Sequence, residues 1–227
     1  MVAEDKLSWV GNFIREYPRL RLRPHSSCLV AFSGILDFTA VAPGQPEITD
    51  FYSLDIIVPH DFPKSCPEVF EKEERIPRDS KYHKNLDGSL CLGSPLRLFI
   101  ELSKAPRLTA YVKKCLIPYL YAMSLNLKYG RPFIFGELEH GFPGVLHDYT
   151  DIFGVKTAAQ VELALKLLTL RPRLANKYLC PCGCGLKLGA CSFRRRLNWL
   201  RELGIADRFG IEKVIKSLKA KGHARTL

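Results

Sequence analysis

Hydrophobic and polar positions in the first part of the chain follow two different periods. Residues 4–16 carry apolar side chains on one helical stripe, formed by Leu7, Val10, Phe13 and Ile14. The segments 27–42 and 48–59 are instead rich in β-branched and aromatic residues, and the turn sequence APGQPE lies between them. The pattern therefore predicts an N-terminal helix followed by two or three strands.

The next segment, residues 60–71, contains Pro63 and Pro67. Two prolines at this spacing exclude a helix, because each lacks a backbone N–H and fixes its own φ angle. We expect a rigid, extended turn that leads into a short edge strand. Together with the preceding strands, this gives an antiparallel meander of about four strands.

Helical periodicity returns in the second half of the chain. Residues 108–127 have a helical period, in which Pro118 predicts a kink or a break. Residues 145–154 predict a short helix after a loop-like stretch. A further helix is expected over 157–170, with Thr157 as its N-cap.

Charge is distributed unevenly along the 227 residues, whose formal net charge is +11. Residues 1–170 contain 20 Lys and Arg and 20 Asp and Glu, whereas residues 171–227 contain 14 basic and 3 acidic residues. This asymmetry predicts a boundary near residue 170. The basic segment should be attracted to a polyanion or to an acidic protein face.

The N-terminus has no apolar run typical of a secretory signal, and the longest apolar stretch, residues 115–127, is too short to cross a bilayer. We therefore expect a cytoplasmic protein without a membrane segment. In that compartment the eight cysteines would be reduced thiols, metal ligands or catalytic groups rather than disulfides.

The sequence HKNLDGSLCLG, residues 83–93, contains a cysteine between two leucines on a glycine-bounded loop. A lone cysteine in such a setting is more often a small buried hydrophobe than a nucleophile. That interpretation is retained for Cys28, Cys66 and Cys115. For Cys91 the surrounding residues favour a nucleophile.

The motif order around Cys91 resembles that of the ubiquitin-conjugating enzyme family over residues 1–130. A helix, a strand meander, a proline-rich turn, a His-x-Asn motif and a G-x-x-C-L motif follow one another. The matching residues are Phe62, Pro63, Pro67, His83, Asn85, Gly88, Cys91 and Leu92. Lys84 replaces the proline of the family motif, the Asn-to-Gly spacing is shorter, and the usual tryptophan after the cysteine is absent. These departures suggest a divergent, prokaryotic branch.

The resemblance implies an α+β fold, a UBC-like four-stranded antiparallel meander flanked by helices. It implies that Cys91 carries the C-terminal glycine of a ubiquitin-like protein as a thioester and passes it to a lysine amine. Asn85 would stabilise the tetrahedral oxyanion, and His83 would brace the loop. The prokaryotic members suggest an antiphage defence system, in which the tail of a cGAS-like nucleotidyltransferase could be transferred instead. An activating enzyme would be a partner unless the protein works without one.

His140 lies beside Glu137 and Glu139 in a glycine-bounded stretch. A carboxylate–histidine cluster of this kind could supply the base that deprotonates the incoming lysine. It could equally be a solvated polar loop or a helix cap, and this second interpretation is favoured.

A second constellation, YLCPCGCGLKLGACSF, resembles the SEC-C zinc motif. Cys180 and Cys182 match its C-x-C element, and eight residues separate Cys182 from Cys191. Ser192 stands where that motif has its last ligand, and Cys184 could supply the missing fourth thiolate. Four thiolates at short spacing predict a structural zinc site.

These observations divide the chain into a ubiquitin-conjugating-like domain at 1–155, a connecting helix at 156–176 and a basic zinc-binding segment at 177–227. Two alternatives remain. One is a non-catalytic binding module of the same fold, and the other is a nucleic-acid-binding protein that uses the basic zinc segment, residues 171–227. Nucleic acid is the less favoured partner, because no exposed aromatic residues are expected between the basic ones.

Overall fold

The computed structural model describes residues 3–24, 30–132 and 142–205, together with Ile211 and Ile215. The chain forms two compact units. One contains Met1–Gly93 and Lys104–Glu137, and the other contains Ser94–Ser103 and Leu138–Leu227. The segments proposed from the sequence, with limits at 155 and 176, stay a prediction about function.

The first unit is built on a four-stranded antiparallel sheet with the strand order β1-β2-β3-β4. The strands are β1 (Leu20–Arg23), β2 (Val30–Ala40), β3 (Ile48–Val58) and β4 (Glu68–Glu71). In β3 every second side chain is buried, from Ile48 to Val58, as expected for a sheet with one face on the core. The predicted meander and the α+β class are therefore confirmed.

Strand β1 was not predicted from the sequence. It has only four residues, of which Leu20 alone is buried, so its own pattern is too short to indicate a strand. Its position is decided by pairing with β2, where Leu20 lies opposite Gly34. A Cβ atom at Gly34 would collide with the carbonyl oxygen of Arg19, so the close approach of the two strands requires a glycine.

Helices flank this sheet. They are α1 (Ala3–Glu16), α3 (Leu108–Tyr111) and α4 (Ile117–Tyr129), and a π-helical turn, Val112–Leu116, joins the last two. The break that Pro118 predicts is present as this wider turn. Proline has no N–H for the carbonyl one turn earlier, and its ring crowds that carbonyl.

A polar cluster fixes α4 against the sheet. Ser124 donates a hydrogen bond of 2.7 Å to the Asp50 carboxylate and shares one of 3.0 Å with the Tyr52 hydroxyl. Arg75 forms an ion pair of 2.6 Å with the same carboxylate. Burial alone would raise the pKa of Asp50, but the hydrogen bonds from Arg75 and Ser124 outweigh it and hold the pKa well below its usual range.

The second unit is helical over its described residues. It contains α2 (Pro95–Lys104), α5 (Phe142–Phe153), α6 (Ala158–Thr169), α7 (Pro172–Ala175) and α8 (Phe193–Glu202). The predicted N-cap is confirmed: the Thr157 side chain accepts from the Gln160 N–H, and the Gln160 side-chain oxygen accepts from the Thr157 N–H. Helix α2 was not predicted.

Apolar side chains from these helices form one core cluster. Its fully buried members include Leu96, Tyr149, Phe153, Val161, Leu165, Leu168, Leu197 and Leu200. Leu197 and Leu200 lie on the buried face of α8. Ile211, which follows α8 in the chain, is also buried. Trp199 and Tyr178 are exposed, so the expectation of no exposed aromatic residues among the basic ones is wrong for the described part of the segment. Among the described helices, none has the length and apolarity that a membrane crossing requires.

Candidate functional site

Residues 83–91 form a tight antiparallel hairpin. The N–H of Cys91 donates to the carbonyl of His83 at 2.7 Å, and the N–H of Asn85 donates to the carbonyl of Ser89 at 2.8 Å. Gly88 closes the turn with a φ of 87°, a left-handed conformation that side chains disfavour. The hairpin thereby places His83 and Cys91 directly across from each other.

Hydrogen bonds to β4 and to α4 help to attach this hairpin to the rest of the first unit. The N–H of Leu90 donates to the carbonyl of Val69 in β4 at 2.8 Å. The hydroxyl of Tyr119, in α4, donates to the carbonyl of Tyr82 at 2.8 Å. The hairpin is therefore held by both the sheet and the long helix.

Strand alternation determines which side chains share a face of the hairpin. Ser89 and Cys91 are two residues apart and point to the same side, opposite Leu90. Asn85 reaches that side as well, because its Nδ2 donates to Ser89 Oγ at 2.9 Å. Asn85 is exposed and Cys91 is half-buried, so the amide and the thiol lie on one face with the amide toward solvent.

A short chain of hydrogen bonds orients the Asn85 amide. Ser89 Oγ accepts from Asn85 and donates to Asp87 Oδ1 at 2.7 Å. The side-chain and backbone hydrogen bonds from Ser89 lower the pKa of Asp87, so this carboxylate stays an acceptor at neutral pH. A carboxamide carries two N–H groups. One is used by Ser89, and the other has no partner among the described residues.

Two effects on the pKa of the Cys91 thiol oppose each other. Burial raises its pKa, because the thiolate loses solvation, while a hydrogen bond from the Gly93 N–H lowers it. Burial is the larger effect, so the pKa lies above its ordinary value. At neutral pH the free side chain is mainly the thiol.

A buried ion pair lies beneath the hairpin. The Lys84 side chain is 3 % exposed and the Glu71 side chain 0 %, and Lys84 Nζ lies 3.7 Å from Glu71 Oε2. Lys84 also donates to the carbonyl of Ile76 at 3.1 Å. Because Lys84 lies between His83 and Asn85, this pair anchors the strand that carries both predicted site residues.

Two other thiols lie in the described part of the same unit, and Cys28 lies outside the described residues. Cys66 is half-buried, and burial raises its pKa to about 11. Cys115 is buried. Cys66, Cys91 and Cys115 all interact electrostatically with the Tyr111 hydroxyl, whose own pKa is raised by burial. Unlike these two, Cys91 is on a hairpin that also presents an exposed amide.

His140, the fourth predicted catalytic residue, lies outside the described residues, as do Glu137 and Glu139. The expectation that this cluster supplies a base therefore stays a prediction. The structure brings together the other three, His83, Asn85 and Cys91, within one hairpin.

The four C-terminal cysteines come together in the second unit. The sulfur atoms of Cys180, Cys182, Cys184 and Cys191 all lie within 4.8 Å of one another. The Cys180–Cys182 sulfurs are 3.1 Å apart and the Cys182–Cys191 sulfurs 3.7 Å apart, whereas thiolates arranged tetrahedrally around zinc are about 3.8 Å apart. None of the four is in a disulfide. This donor set could hold a metal ion.

Local backbone contacts shape the cluster. The chain turns back on itself so that Leu179 pairs with Lys187, and the Cys180 N–H donates to the Leu186 carbonyl at 2.8 Å. At the start of α8, the N–H of Phe193 donates to Cys191 Sγ at 3.5 Å. This hydrogen bond is the main cause that lowers the pKa of Cys191 to about 7, which favours the thiolate that a metal requires.

Sequence reasoning missed three residues that support the site. Lys84 was noticed only as a departure from the family motif, and nothing in the sequence indicates that its side chain is buried. Ser89 lies inside the G-x-x-C motif at a position read as variable. Tyr119 is one of several aromatic residues on a helix, and its hydrogen bond to the hairpin depends on the tertiary fold.

The chain matches no family model, no curated protein and no solved structure. The assignment of a function therefore depends on the residues and contacts described above. Those contacts define two candidate centres, a hairpin with a thiol and an amide in the first unit and a four-cysteine cluster in the second.

Proposed function

We propose that this protein is a ubiquitin-conjugating-type acyl transferase. Cys91 accepts the C-terminal glycine of a ubiquitin-like tail as a thioester and passes it to a lysine amine. The observation that carries the proposal is the hairpin, in which a half-buried thiol shares a face with a carboxamide fixed by Ser89. The resemblance of the motif to that of ubiquitin-conjugating enzymes suggests the reaction, which is thioester formation on Cys91 followed by transfer to an amine.

The first step is a thiol exchange. The Cys91 sulfur attacks the carbonyl carbon of a donor thioester, a new C–S bond forms, and the C–S bond to the donor breaks. The departing donor sulfur takes up the proton that Cys91 loses. The donor would be an activating enzyme or an equivalent thioester, and the acyl group a ubiquitin-like protein or the tail of a cGAS-like nucleotidyltransferase.

The second step is transfer to an amine. A lysine nitrogen attacks the Cys91 thioester, and the carbonyl oxygen becomes an oxyanion that the unpaired N–H of Asn85 can stabilise. A single donor of this kind is commonly worth about 3 kcal/mol in the transition state. The C–S bond then breaks, the amide forms, and a proton from the amine returns to the sulfur.

The raised pKa of Cys91 suits a carrier. A thiol with a higher pKa is a stronger nucleophile once ionised, but its thioester has a poorer leaving group. The loaded form is therefore more persistent than one on an acidic thiol, and discharge depends more on help to the oxyanion. Asn85 would therefore stabilise the oxyanion during discharge, and Ser89 and Lys84 would be positioning residues.

The cysteine cluster has a structural role in this proposal. Four sulfur ligands fill a tetrahedral shell and leave no open position, which is the arrangement of structural zinc. Zinc is the proposed ion, and Cys184 is the proposed fourth ligand in place of Ser192. The zinc ion would connect the turn at residues 180–187 to the start of α8. A cytoplasmic, reducing compartment would keep these thiols available.

A loading experiment tests the proposed function without the natural donor. A fluorescent peptide that ends in Gly-Gly, prepared as its mercaptoethanesulfonate thioester, is incubated with the full chain. The wild-type protein should acquire a fluorescent adduct that dithiothreitol releases. Cys91→Ala should abolish the adduct. Cys66→Ala is the matched control, because Cys66 is also half-buried and its pKa is also raised.

Lysine is then added to the loaded protein. Transfer to free lysine should release the label as a lysine-linked peptide. Equal labelling of the wild-type and Cys91→Ala proteins would refute the proposal. Loading that never discharges to an amine would restrict Cys91 to a reactive thiol.

A further inference from the structure

The tip of the Cys91 hairpin is a tight turn formed by Asn85, Leu86, Asp87 and Gly88. The N–H of Gly88 donates to the carbonyl of Asn85 at 2.9 Å and closes the turn. The first three of these residues are exposed, whereas Ser89, which follows them, is buried. The turn therefore presents an amide, an apolar side chain and a carboxylate to solvent on the same hairpin as the proposed acyl carrier.

The Asp87 carboxylate is held in place by Ser89. Its Oδ1 accepts from the Ser89 N–H at 2.9 Å and from the Ser89 hydroxyl at 2.7 Å. The same hydroxyl accepts from Asn85 Nδ2 at 2.9 Å, so the carboxylate and the amide nitrogen lie within about 6 Å of each other. Because the Ser89 side chain is on the face that carries Cys91, the Asp87 carboxylate lies toward that face as well.

The negative charge of Asp87 is not compensated within the described part of the chain. Lys84 is the only lysine or arginine in residues 83–91, and its buried Nζ is paired with Glu71. The second oxygen of the Asp87 carboxylate has no hydrogen-bond or ion-pair partner among the described residues. The hydrogen bonds from Ser89 lower the pKa of Asp87, so the group is ionised at neutral pH. It is therefore a fixed acceptor for a cation and a poor base.

Leu86 adds an apolar surface beside this charge. Its side chain is fully exposed, so it contributes no buried surface to the fold. Turn positions of this kind are more often occupied by Asn, Asp, Ser, Gly or Pro. A lysine side chain combines four methylene groups with a terminal ammonium, and it commonly places the methylenes on an apolar surface with the charge beyond them. The neighbouring Leu86 and Asp87 side chains match these two parts.

We propose that Leu86 and Asp87 dock the lysine that receives the acyl group. The lysine ammonium binds the Asp87 carboxylate, and the methylenes lie against Leu86. The ammonium then loses a proton to solvent, and the neutral nitrogen attacks the Cys91 thioester, whose carbonyl oxygen faces Asn85. This inference rests on the proposed acyl transfer, and it identifies the acceptor as an exposed lysine side chain rather than an uncharged amine.

The carboxylate that attracts the lysine opposes the chemical step. The oxyanion develops beside the Asn85 amide, and a second negative charge about 6 Å away in water slows its formation by about threefold. Docking by Asp87 therefore predicts opposite effects on the two steps, because the charge strengthens lysine binding and slows the transfer. A carboxylate that only supports the hairpin would affect both steps in the same direction.

The test is discharge of the full chain, loaded with the Gly-Gly peptide, to increasing concentrations of Nα-acetyl-lysine amide, whose only amine is on the side chain. Asp87→Asn keeps an oxygen that can accept from Ser89 but removes the charge. It should raise the half-saturating lysine concentration about three- to fivefold, which is the upper part of the range for exposed ion pairs. The discharge rate at saturation should rise up to about threefold. Leu86→Ser should raise the half-saturating concentration about threefold, as for the loss of one buried methylene group.

Glu47→Gln is the matched control, because it removes the same charge from an exposed position just before β3. The hairpin is attached at Val69, which pairs with Ile56 near the other end of β3. Ile48 and Ile56 are about 27 Å apart along the strand, which is well beyond the screening length in physiological salt. The half-saturating lysine concentration of Glu47→Gln should therefore stay within about 1.5-fold of wild type. Hydroxylamine, which is uncharged at neutral pH, is the second nucleophile, and Asp87→Asn should discharge to it up to about threefold faster than wild type.

Two results would overturn the docking role and leave the proposed function intact. One is an equal half-saturating lysine concentration for Asp87→Asn, Glu47→Gln and the wild type. The other is slower discharge of Asp87→Asn to both lysine and hydroxylamine, which would show that the carboxylate only supports the hairpin. A wild-type protein that does not load, or that loads and never discharges to lysine, would contradict both the docking role and the proposed function.

Discussion

Replacing Lys84 by methionine should destabilise the protein far more than an ordinary lysine substitution. The Nζ of Lys84 is 3.7 Å from Glu71 Oε2, and both side chains are almost fully buried. Methionine fills a similar volume but leaves Glu71 without its cation. The Glu71 carboxylate still accepts from the N–H groups of Glu73, Arg75 and Ile76, so it remains inside the protein.

Removing one partner of a buried ion pair costs about 3–5 kcal/mol, because the remaining charge is uncompensated. For a chain of this length, a melting temperature shifts by about 2–4 °C per kcal/mol, which gives a decrease of roughly 6–20 °C. Lys81→Met is the matched control. Lys81 is in the same segment and lies 3.6 Å from Asp79, but its side chain is 65 % exposed, so its loss should cost about 0–1 kcal/mol.

The assay is thermal unfolding of the two lysine variants, of Glu71→Gln and of the Glu71→Gln/Lys84→Met double variant. In the double variant no buried charge is left unpaired, so its loss of stability should be smaller than the sum of the losses of Glu71→Gln and Lys84→Met by about 1–3 kcal/mol. Equal melting temperatures for Lys84→Met and Lys81→Met would contradict a stabilising role for the buried ion pair. They would show that Lys84 does not anchor the hairpin.

Three further predictions concern the two centres. The rate at which iodoacetamide alkylates Cys91 should increase with pH. The midpoint pH of that increase should lie above the midpoint for an unperturbed cysteine, because burial raises the pKa of this thiol. A midpoint below neutral pH would contradict the burial. Asn85→Ala should load normally but discharge to lysine about 100-fold more slowly, and Ser89→Ala should slow discharge by less, since it only releases the amide; equal discharge by all three proteins would remove the oxyanion role. Metal analysis should find about one zinc per chain, and a Cys180→Ser/Cys182→Ser variant that retains it would contradict the proposed ligands.

Local patterns were sufficient to predict the main elements of the fold. The β-branched run that became β2 and β3 and the Thr157 capping position are short-range features. They determine structure largely through their own neighbours, so the strands and α6 lie close to where the sequence places them. Pro118 likewise predicted a break through the missing N–H, although not that it would take the form of a π-helical turn.

Elements that depend on distant partners could not be predicted. Strand β1 is determined by its pairing with β2. Helix α2 has a short, mainly apolar stretch, from Leu96 to Leu102, which fits a strand as well as a helix. Its packing against Tyr149 and Phe153 of the second unit decides between them.

In the candidate sites, too, local sequence patterns were predictable and long-range contacts were not. The spacing of Cys180, Cys182 and Cys191 predicted a cluster, and the structure brings their sulfurs and that of Cys184 together. For Cys91 the motif indicated the residue but not its surroundings. The Lys84–Glu71 pair joins positions 13 residues apart, and no local pattern indicates that a lysine will be buried.

The most direct test of the central claim is to map the acyl group on the wild-type chain. After loading with the Gly-Gly thioester peptide, the protein is digested at low pH without reductant, and mass spectrometry locates the added mass. If Cys91 is the acyl carrier, one acyl group should be found, on Cys91, as a thioester that hydroxylamine removes. An acyl group found on Cys66 or on the cysteine cluster, with Cys91 unmodified, would contradict it.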